Sequence, residues 1–355
     1  MKELRESGEE GRLPGGATAA RPEQDTGVSG PAAFRHRFLP AVVASLAAMT
    51  LAVSCTDSSA PHRRSPTTQQ TPAESTSAGT GAETGEDCDR LRSLKPLDRM
   101  PEPGGRMPSG SAMERIVARG RLIVGVDQNT YLFGYRDTDT GQLSGLDIDL
   151  VREISRALFG RPDRVQFKTV PSSRRIEILE RGEVDLVAHS MTITCERMKR
   201  VLFSSDYLDS GQRVLVPDTS PVKNLADLAG QKVCTARGTT SLDELRRARP
   251  KVRPVTVADW TDCLVQLQLG NVAAVSTTDN VLAGLSAQDP TTRITGPRFT
   301  YEPHGIAVSK KSPELVRFVN GVLARLRASG RLRALHERWL GAYGDFYPPA
   351  PRYRE

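Results

Sequence analysis

Apolar residues fall into three regimes along the chain. From Phe38 to Ser54 runs a single apolar segment, Thr56 to about Ser111 is rich in Pro, Ser, Thr and Gly with almost no apolar periodicity, and from Met113 onward short apolar runs alternate with helical periods. The last regime predicts α/β architecture. Strands are expected at Leu122 to Val126, Val165 to Thr169, Val184 to Ala188, Val214 to Val216, Lys232 to Thr235, Val255 to Val257, Ala273 to Val275 and Gly305 to Val308, with helices between most of them. One helix, from Gly145 to Phe159, sets Ile148, Val151, Ile154 and Leu158 on one face. The last long helix opens on Ser312-Pro313-Glu314, an N-cap followed by Pro at the first helical position, and its apolar face is Leu315, Val316, Val319, Val322, Leu323 and Leu326.

The first regime has a signal-peptide layout. Arg35-His36-Arg37 precedes the apolar run, and small residues and Cys55 end it. The run falls short of the ~20 apolar residues of a comfortable membrane span. Leu51-Ala52-Val53-Ser54-Cys55 is similar to a bacterial lipobox, in which the Cys thiol is acylated, although Ala52 stands where a large aliphatic residue is usual. An uncleaved anchor is the alternative, and either one places the rest of the chain outside the cytoplasm. The second regime cannot bury enough surface to offset the entropy of ordering, and reads as a disordered tether reaching ~3 Å per residue.

If Cys55 carries lipid, Cys88, Cys195, Cys234 and Cys263 remain, and four cysteines allow three pairings. Disulfides persist outside the cytoplasm. Cys234 sits in an expected strand and Cys263 in the next expected helix, so a Cys234–Cys263 bridge is the local choice and leaves Cys88–Cys195. Four buried thiols are the alternative. No cysteine pair has zinc-ligand spacing.

The formal charge is +7, but the arginines are scattered among acidic neighbours rather than gathered in one dense run. That describes a solvated surface, not a nucleic-acid footprint.

Two segments suit an anion. His189-Ser190-Met191-Thr192-Ile193-Thr194-Cys195-Glu196-Arg197 follows an expected strand and offers backbone N–H groups, hydroxyls and a guanidinium, whose planar fork fits a carboxylate. Val233-Cys234-Thr235-Ala236-Arg237-Gly238-Thr239-Thr240-Ser241-Leu242-Asp243-Glu244 passes from strand through a Gly turn into a helix. There Ser241 and Glu244 have capping-box spacing, and Thr239 and Thr240 stand beside free N–H groups. Each segment alone reads equally as an ordinary loop or a capped helix.

Taken in order, Leu122-Ile123-Val124-Gly125-Val126-Asp127, Leu143-Ser144-Gly145-Leu146-Asp147-Ile148-Asp149-Leu150, Gly182-Glu183-Val184-Asp185-Leu186, Met191 to Arg197 and Phe203-Ser204-Ser205-Asp206-Tyr207 make a further pattern. It resembles family 3 of the bacterial extracellular solute-binding proteins, the polar amino-acid receptors of ABC importers. The resemblance covers Met113 to Leu340. It leans toward actinobacterial glutamine/glutamate-binding lipoproteins, with which Trp260-Thr261-Asp262-Cys263-Leu264 and Pro290 to Gly305 also agree.

The resemblance implies a two-lobed α/β fold of the type II periplasmic-binding-protein kind, with a ligand cleft between lobes and two hinge crossovers, at Tyr207 to Val214 and Thr300 to Gly305. The expected divisions are 1–55 for leader and signal peptide, 56–111 for the tether, 112–209 for the first part of lobe 1, 210–303 for lobe 2, 304–345 for the return into lobe 1 and 346–355 for a tail. Carried over residue by residue, Arg197 would clamp the ligand α-carboxylate with help from Ser190, Met191, Thr192, Gly238, Thr239 and Thr240. Asp127, Tyr131, Phe133 and Trp260 would line the cleft, and Ser172 and Arg175 would face the ligand side chain. With two arginines in the cleft the ligand would be glutamate or aspartate, or their amides if Arg175 lies at the rim. The resemblance also implies no cofactor, no metal, no nucleic acid and a monomer anchored at the outer membrane face through Cys55, with an ABC permease as partner.

Two departures stand out. The Asp that the family uses for the ligand ammonium is Thr278 here, followed by Asp279, so either Asp279 shifts in or Thr278 and water hold the amine, and the usual Tyr before Gly305-Ile306 is His304. A sensor that reports to a membrane protein would share the same cleft. An enzyme of the dehydratase type found on this fold would need an acid–base group, for which His189 is the only candidate in the core motif. The sequence contains no P-loop, metal cluster or nucleophile elbow.

Overall fold

The computed structural model describes residues 88–355; the apolar run 38–54, Cys55 and the expected tether up to residue 87 lie outside the described residues. The alternating pattern after Met113 folds into two five-stranded sheets. In lobe 1 the spatial order is Val165–Thr169, Leu122–Val126, Leu186–Val187, Ala307–Ser309 and Val201–Phe203. The first three run parallel, and Ala307–Ser309 is antiparallel to both its neighbours. The helices Leu146–Phe159 and Pro313–Ala328 bring Ile148, Val151, Ile154 and Leu158 together with Leu315, Val316, Val319 and Leu323 in one buried core, as their 3.6-residue spacing requires. Burying each such side chain contributes roughly 1.5–3 kcal/mol.

Lobe 2 repeats the plan with Arg253–Val257, Lys232–Ala236, Ala274–Thr278, Gln212–Pro217 and Thr292–Thr295 in that order. Its helices are Thr240–Arg247, Trp260–Gln268 and Asp279–Gln288. The Cys234–Cys263 disulfide joins a central strand to the helix packed on it, and both residues are fully buried. The two crossovers run side by side. His304 bridges to Thr192 and to Leu208, and the Glu302 N–H donates to the Ser210 carbonyl at 2.7 Å. A residue on one crossover is therefore held by the other.

Strands at Val201–Phe203 and Thr292–Thr295, and a small sheet of Asn129–Thr130, Gly134–Arg136 and Leu143–Ser144, go beyond the sequence expectation. Each is four residues or fewer, too short for a period to show.

The tether expectation fails from Cys88 to Ser111. Arg92–Leu94 pairs in parallel with Arg352–Arg354, Ser93 opposite Tyr353, so the expected tail also belongs to the fold. Cys88 is disulfide-bonded to Cys195, and Met107 and Phe346 are buried in the lobe 1 core. Gly321, inside the helix Pro313–Ala328, leaves the space that Met100 fills; a Cβ there would stand 2.1 Å from the Met100 Sδ. Polar composition misleads here because the segment is held by backbone hydrogen bonds, a covalent bond and scattered apolar anchors such as Met100 and Met107, which form no periodic face. Asn320 is the hinge-pin of the arrangement: its Nδ2 donates to Ser93 Oγ at 2.7 Å and to the Leu94 carbonyl at 2.6 Å, and its Oδ1 accepts from the Ser205 N–H at 2.7 Å.

Asp147, at the start of the helix Leu146–Phe159, ties three parts of lobe 1. One carboxyl oxygen accepts from Tyr207 Oη at 2.6 Å and the other from the Ser190 N–H at 2.7 Å. Burial pushes this carboxyl up to about 6, against the pull of those donors.

Two outcomes are expected. Asn320→Ala strands buried polar groups on the Ser93 and Ser205 segments and costs about 2–3 kcal/mol, read as a lower urea midpoint with an unchanged slope. A carboxyl whose folded value lies above its usual 3.8 stabilises the fold while protonated, and loses that contribution as pH rises through about 6. Asp147→Asn should therefore show about 1–2 kcal/mol less loss of stability than the parent between pH 5 and pH 7.5.

Candidate functional site

The loop after the strand Leu186–Val187 carries the first half of the site. Ser190 adopts a left-handed backbone, φ 42°, which its N–H bond to Asp147 holds in place. Thr194 N-caps the short helix Cys195–Met198, accepting from the Arg197 N–H at 3.2 Å. That turn brings the Arg197 guanidinium back over its own loop, where Nη1 donates to the Thr192 carbonyl at 2.7 Å.

The second half comes from lobe 2. Gly238 takes φ 74°, and a Cβ on it would stand 2.5 Å from Ser173 Cα in lobe 1, so glycine is required both by the turn and by the close approach. Thr239, not Ser241, is the N-cap: it accepts from the Leu242 N–H at 3.3 Å, and Ser241 instead donates to Thr277 Oγ1 at 3.2 Å. The expected capping box of Ser241 and Glu244 does not form because the helix starts earlier.

Between the lobes lies a narrow cleft whose cavity measures about 20 Å³. Of the residues expected there, Asp127, Ser172, Arg175, Ser190, Thr192, Arg197, Thr239, Thr240, Trp260 and Thr278 line it. Four others lie elsewhere. Phe133 is fully buried in the lobe 1 core, and Met191 packs with Ile178, Leu179 and Ile193 behind the loop. Tyr131 stacks on Tyr135 with ring centroids 4.8 Å apart, and its carbonyl approaches Gly284 of lobe 2. Asp279, the first residue of its helix, pairs with Arg298 and accepts from the Gly211 N–H at 3.4 Å, so its charge is turned away from the cleft. Gly238 contributes its carbonyl rather than a lining surface.

His189, Ser241, Thr277, Val281 and His304 also line the cleft. Small hydroxyl residues on strand ends carry no signal of their own in a sequence. His304 was visible as a departure from the family's Tyr. Burial and the nearby Arg175 and Arg197 depress its imidazole to about 3, so the ring is neutral at physiological pH. Its Nδ1 faces Asn280 Nδ2 at 3.5 Å, and its Nε2 has no partner among the described residues. His189 Nε2 lies 2.8 Å from the Val170 carbonyl, and burial lowers its basicity.

The electrostatics divide the cleft in two. Arg175 is buried, and each guanidinium nitrogen donates to a carbonyl: Nε to Ser172 at 2.8 Å, Nη1 to His189 at 3.0 Å and Nη2 to Gly238 at 3.2 Å. Burial, then the charge of Arg197, brings it down to about 9, and Asp127 opposes that shift. Arg197 is likewise lowered by burial, opposed chiefly by Glu302. The charges of Asp127 and Glu302 thus partly offset the desolvation of Arg175 and Arg197 respectively, while the guanidinium bonds themselves go to carbonyls. Asp127 accepts from the Gln128 and Asn129 N–H groups at 2.7 and 3.0 Å and from Thr130 Oγ1 at 2.5 Å.

Known proteins resemble this chain in sequence and fold. The chain is 33% identical over 221 residues to the ABC transporter glutamine-binding protein GlnH of Bacillus subtilis, covering 62% of this chain and 81% of that one. It is 35% identical to a glutamine-binding protein of Geobacillus stearothermophilus, over 59% of this chain and 82% of that one. Among solved structures, a variant of ArgBP from T. maritima superposes with a TM-score of 0.61 at 32% identity, covering 65% of this chain and 99% of that chain. The model of the bacterial extracellular solute-binding proteins, family 3, matches residues 122–342, and the chain belongs to that family: an amino-acid solute-binding protein with the type II periplasmic-binding fold.

Proposed function

We propose that the cleft binds an amino acid with a side-chain amide, glutamine before glutamate, and that the chain is an exported lipoprotein, anchored at Cys55, that hands this ligand to an ABC permease. The observation that carries the ligand assignment is that Arg175 and Asp127, of opposite charge, both line the cleft. An amide offers a carbonyl acceptor and N–H donors together, which suits a cleft holding both a guanidinium and a carboxylate; a second ligand carboxylate would meet Asp127 as a like charge. Arg175 is also tied to three carbonyls, so it has no free fork for a bidentate carboxylate. Arg197 takes the α-carboxylate, with the N–H groups at the start of the helix Thr240–Arg247 beside it. Glutamine-binding relatives support the same choice. The leader and Cys55 support export and lipid attachment, and the relation to an ABC transporter protein supports the partner.

Isothermal titration of the purified protein is expected to give a micromolar or tighter Kd for glutamine, and glutamine at 100 times that Kd adds about 2.7 kcal/mol of stability. If none of the common amino acids raises the melting temperature, the proposal fails. Asp127→Asn should weaken glutamine about tenfold, or about 1.4 kcal/mol, and shift the preference toward glutamate. Arg175→Ala should weaken both alike, because the bond it donates to the Gly238 carbonyl closes the lobes whichever ligand is present.

A further inference from the structure

With Thr278 at the position of the family's Asp and Asp279 paired to Arg298, neither supplies a charge for the ligand amine. A carboxylate does stand behind the cleft threonines: Glu302, on the second crossover and 2% exposed. Its Oε2 accepts from Thr192 Oγ1 at 2.7 Å and from Thr240 Oγ1 at 2.5 Å, and its Oε1 accepts from Thr300 Oγ1 at 3.1 Å. Thr192 and Thr240 come from different lobes, lie 3.4 Å apart and both line the cleft. A hydroxyl has one hydrogen and two lone pairs. Both hydrogens here are committed to Glu302, so toward the cleft these threonines present acceptors alone. That corner repels a carboxylate oxygen and attracts N–H groups.

We propose that Glu302 supplies the counter-charge for the ligand α-ammonium, acting through the Thr192 and Thr240 hydroxyls in place of the absent carboxylate at position 278. Glu302 does not touch the ligand; it orients the two hydroxyls and provides the negative charge behind them, while Arg197 beside them takes the α-carboxylate. The inference rests on the amino-acid ligand proposed above and adds how that ligand's amine is recognised.

The test compares glutamine with glutaramate, the same molecule without its α-amine, in the parent protein and in Glu302→Gln. The amide keeps the size of the side chain and can still accept from the threonines, but has no charge. Expected is a loss of glutamine affinity of at least tenfold with glutaramate changed less than twofold, so that discrimination between the two collapses. Equal losses for both would show that Glu302 only holds the lobes together, and undiminished glutamine binding would show that it has no part; either overturns the assignment. If Glu302→Gln does not fold, Thr240→Val removes one of the two acceptors and should again cost glutamine more than glutaramate. A parent protein that binds glutamine while Glu302→Gln loses both ligands equally sinks only this assignment, whereas a parent that binds no amino acid removes the ligand proposal and this one together.

Discussion

Two guanidiniums share one carbonyl. Arg175 and Arg197, both from lobe 1, donate to the Gly238 carbonyl of lobe 2 at 3.2 and 3.4 Å, and the Arg197 charge adds to burial in lowering Arg175. A carbonyl dipole offsets only part of the repulsion between two cations in a closed, weakly screened space. The lobes therefore meet at a point where two cations share one acceptor. The glycine is what makes it reachable, since any side chain at 238 would strike Ser173 before the carbonyl came within range.

Much of the fold was legible because it is periodic. The helices Leu146–Phe159 and Pro313–Ala328 and the parallel strands show their apolar faces directly in the residue order. What escaped was held by other means. Residues 88–111 read as linker because Ser93 and Asn320 stabilise them through polar bonds between residues more than two hundred positions apart, which no local window contains. The local pairing of Cys234 with Cys263 followed from neighbouring elements, and Cys88 with Cys195 from what remained.

The site divided similarly. Arg197, Thr192 and Asp127 were found through motif order, and they line the cleft. Phe133, in the turn before the strand Gly134–Arg136, and Met191, in the loop after Leu186–Val187, lie close in sequence to cleft residues but fill the core. Arg175 was open between surface and cleft; the structure buries it, with its donors fixed on carbonyls. Glu302 escaped because its importance lies in meeting one hydroxyl from each lobe, a fact about three distant segments rather than about any one of them.

The strand Arg92–Leu94, its partner Arg352–Arg354 and the Cys88–Cys195 bond all belong to lobe 1. Force applied to the chain ahead of Cys88 enters that lobe beside the helix bearing Arg197, by way of Cys195 and the first strand, without crossing the cleft. Any pull on Cys88 is thus taken up by lobe 1, and the strands of lobe 2 carry none of it.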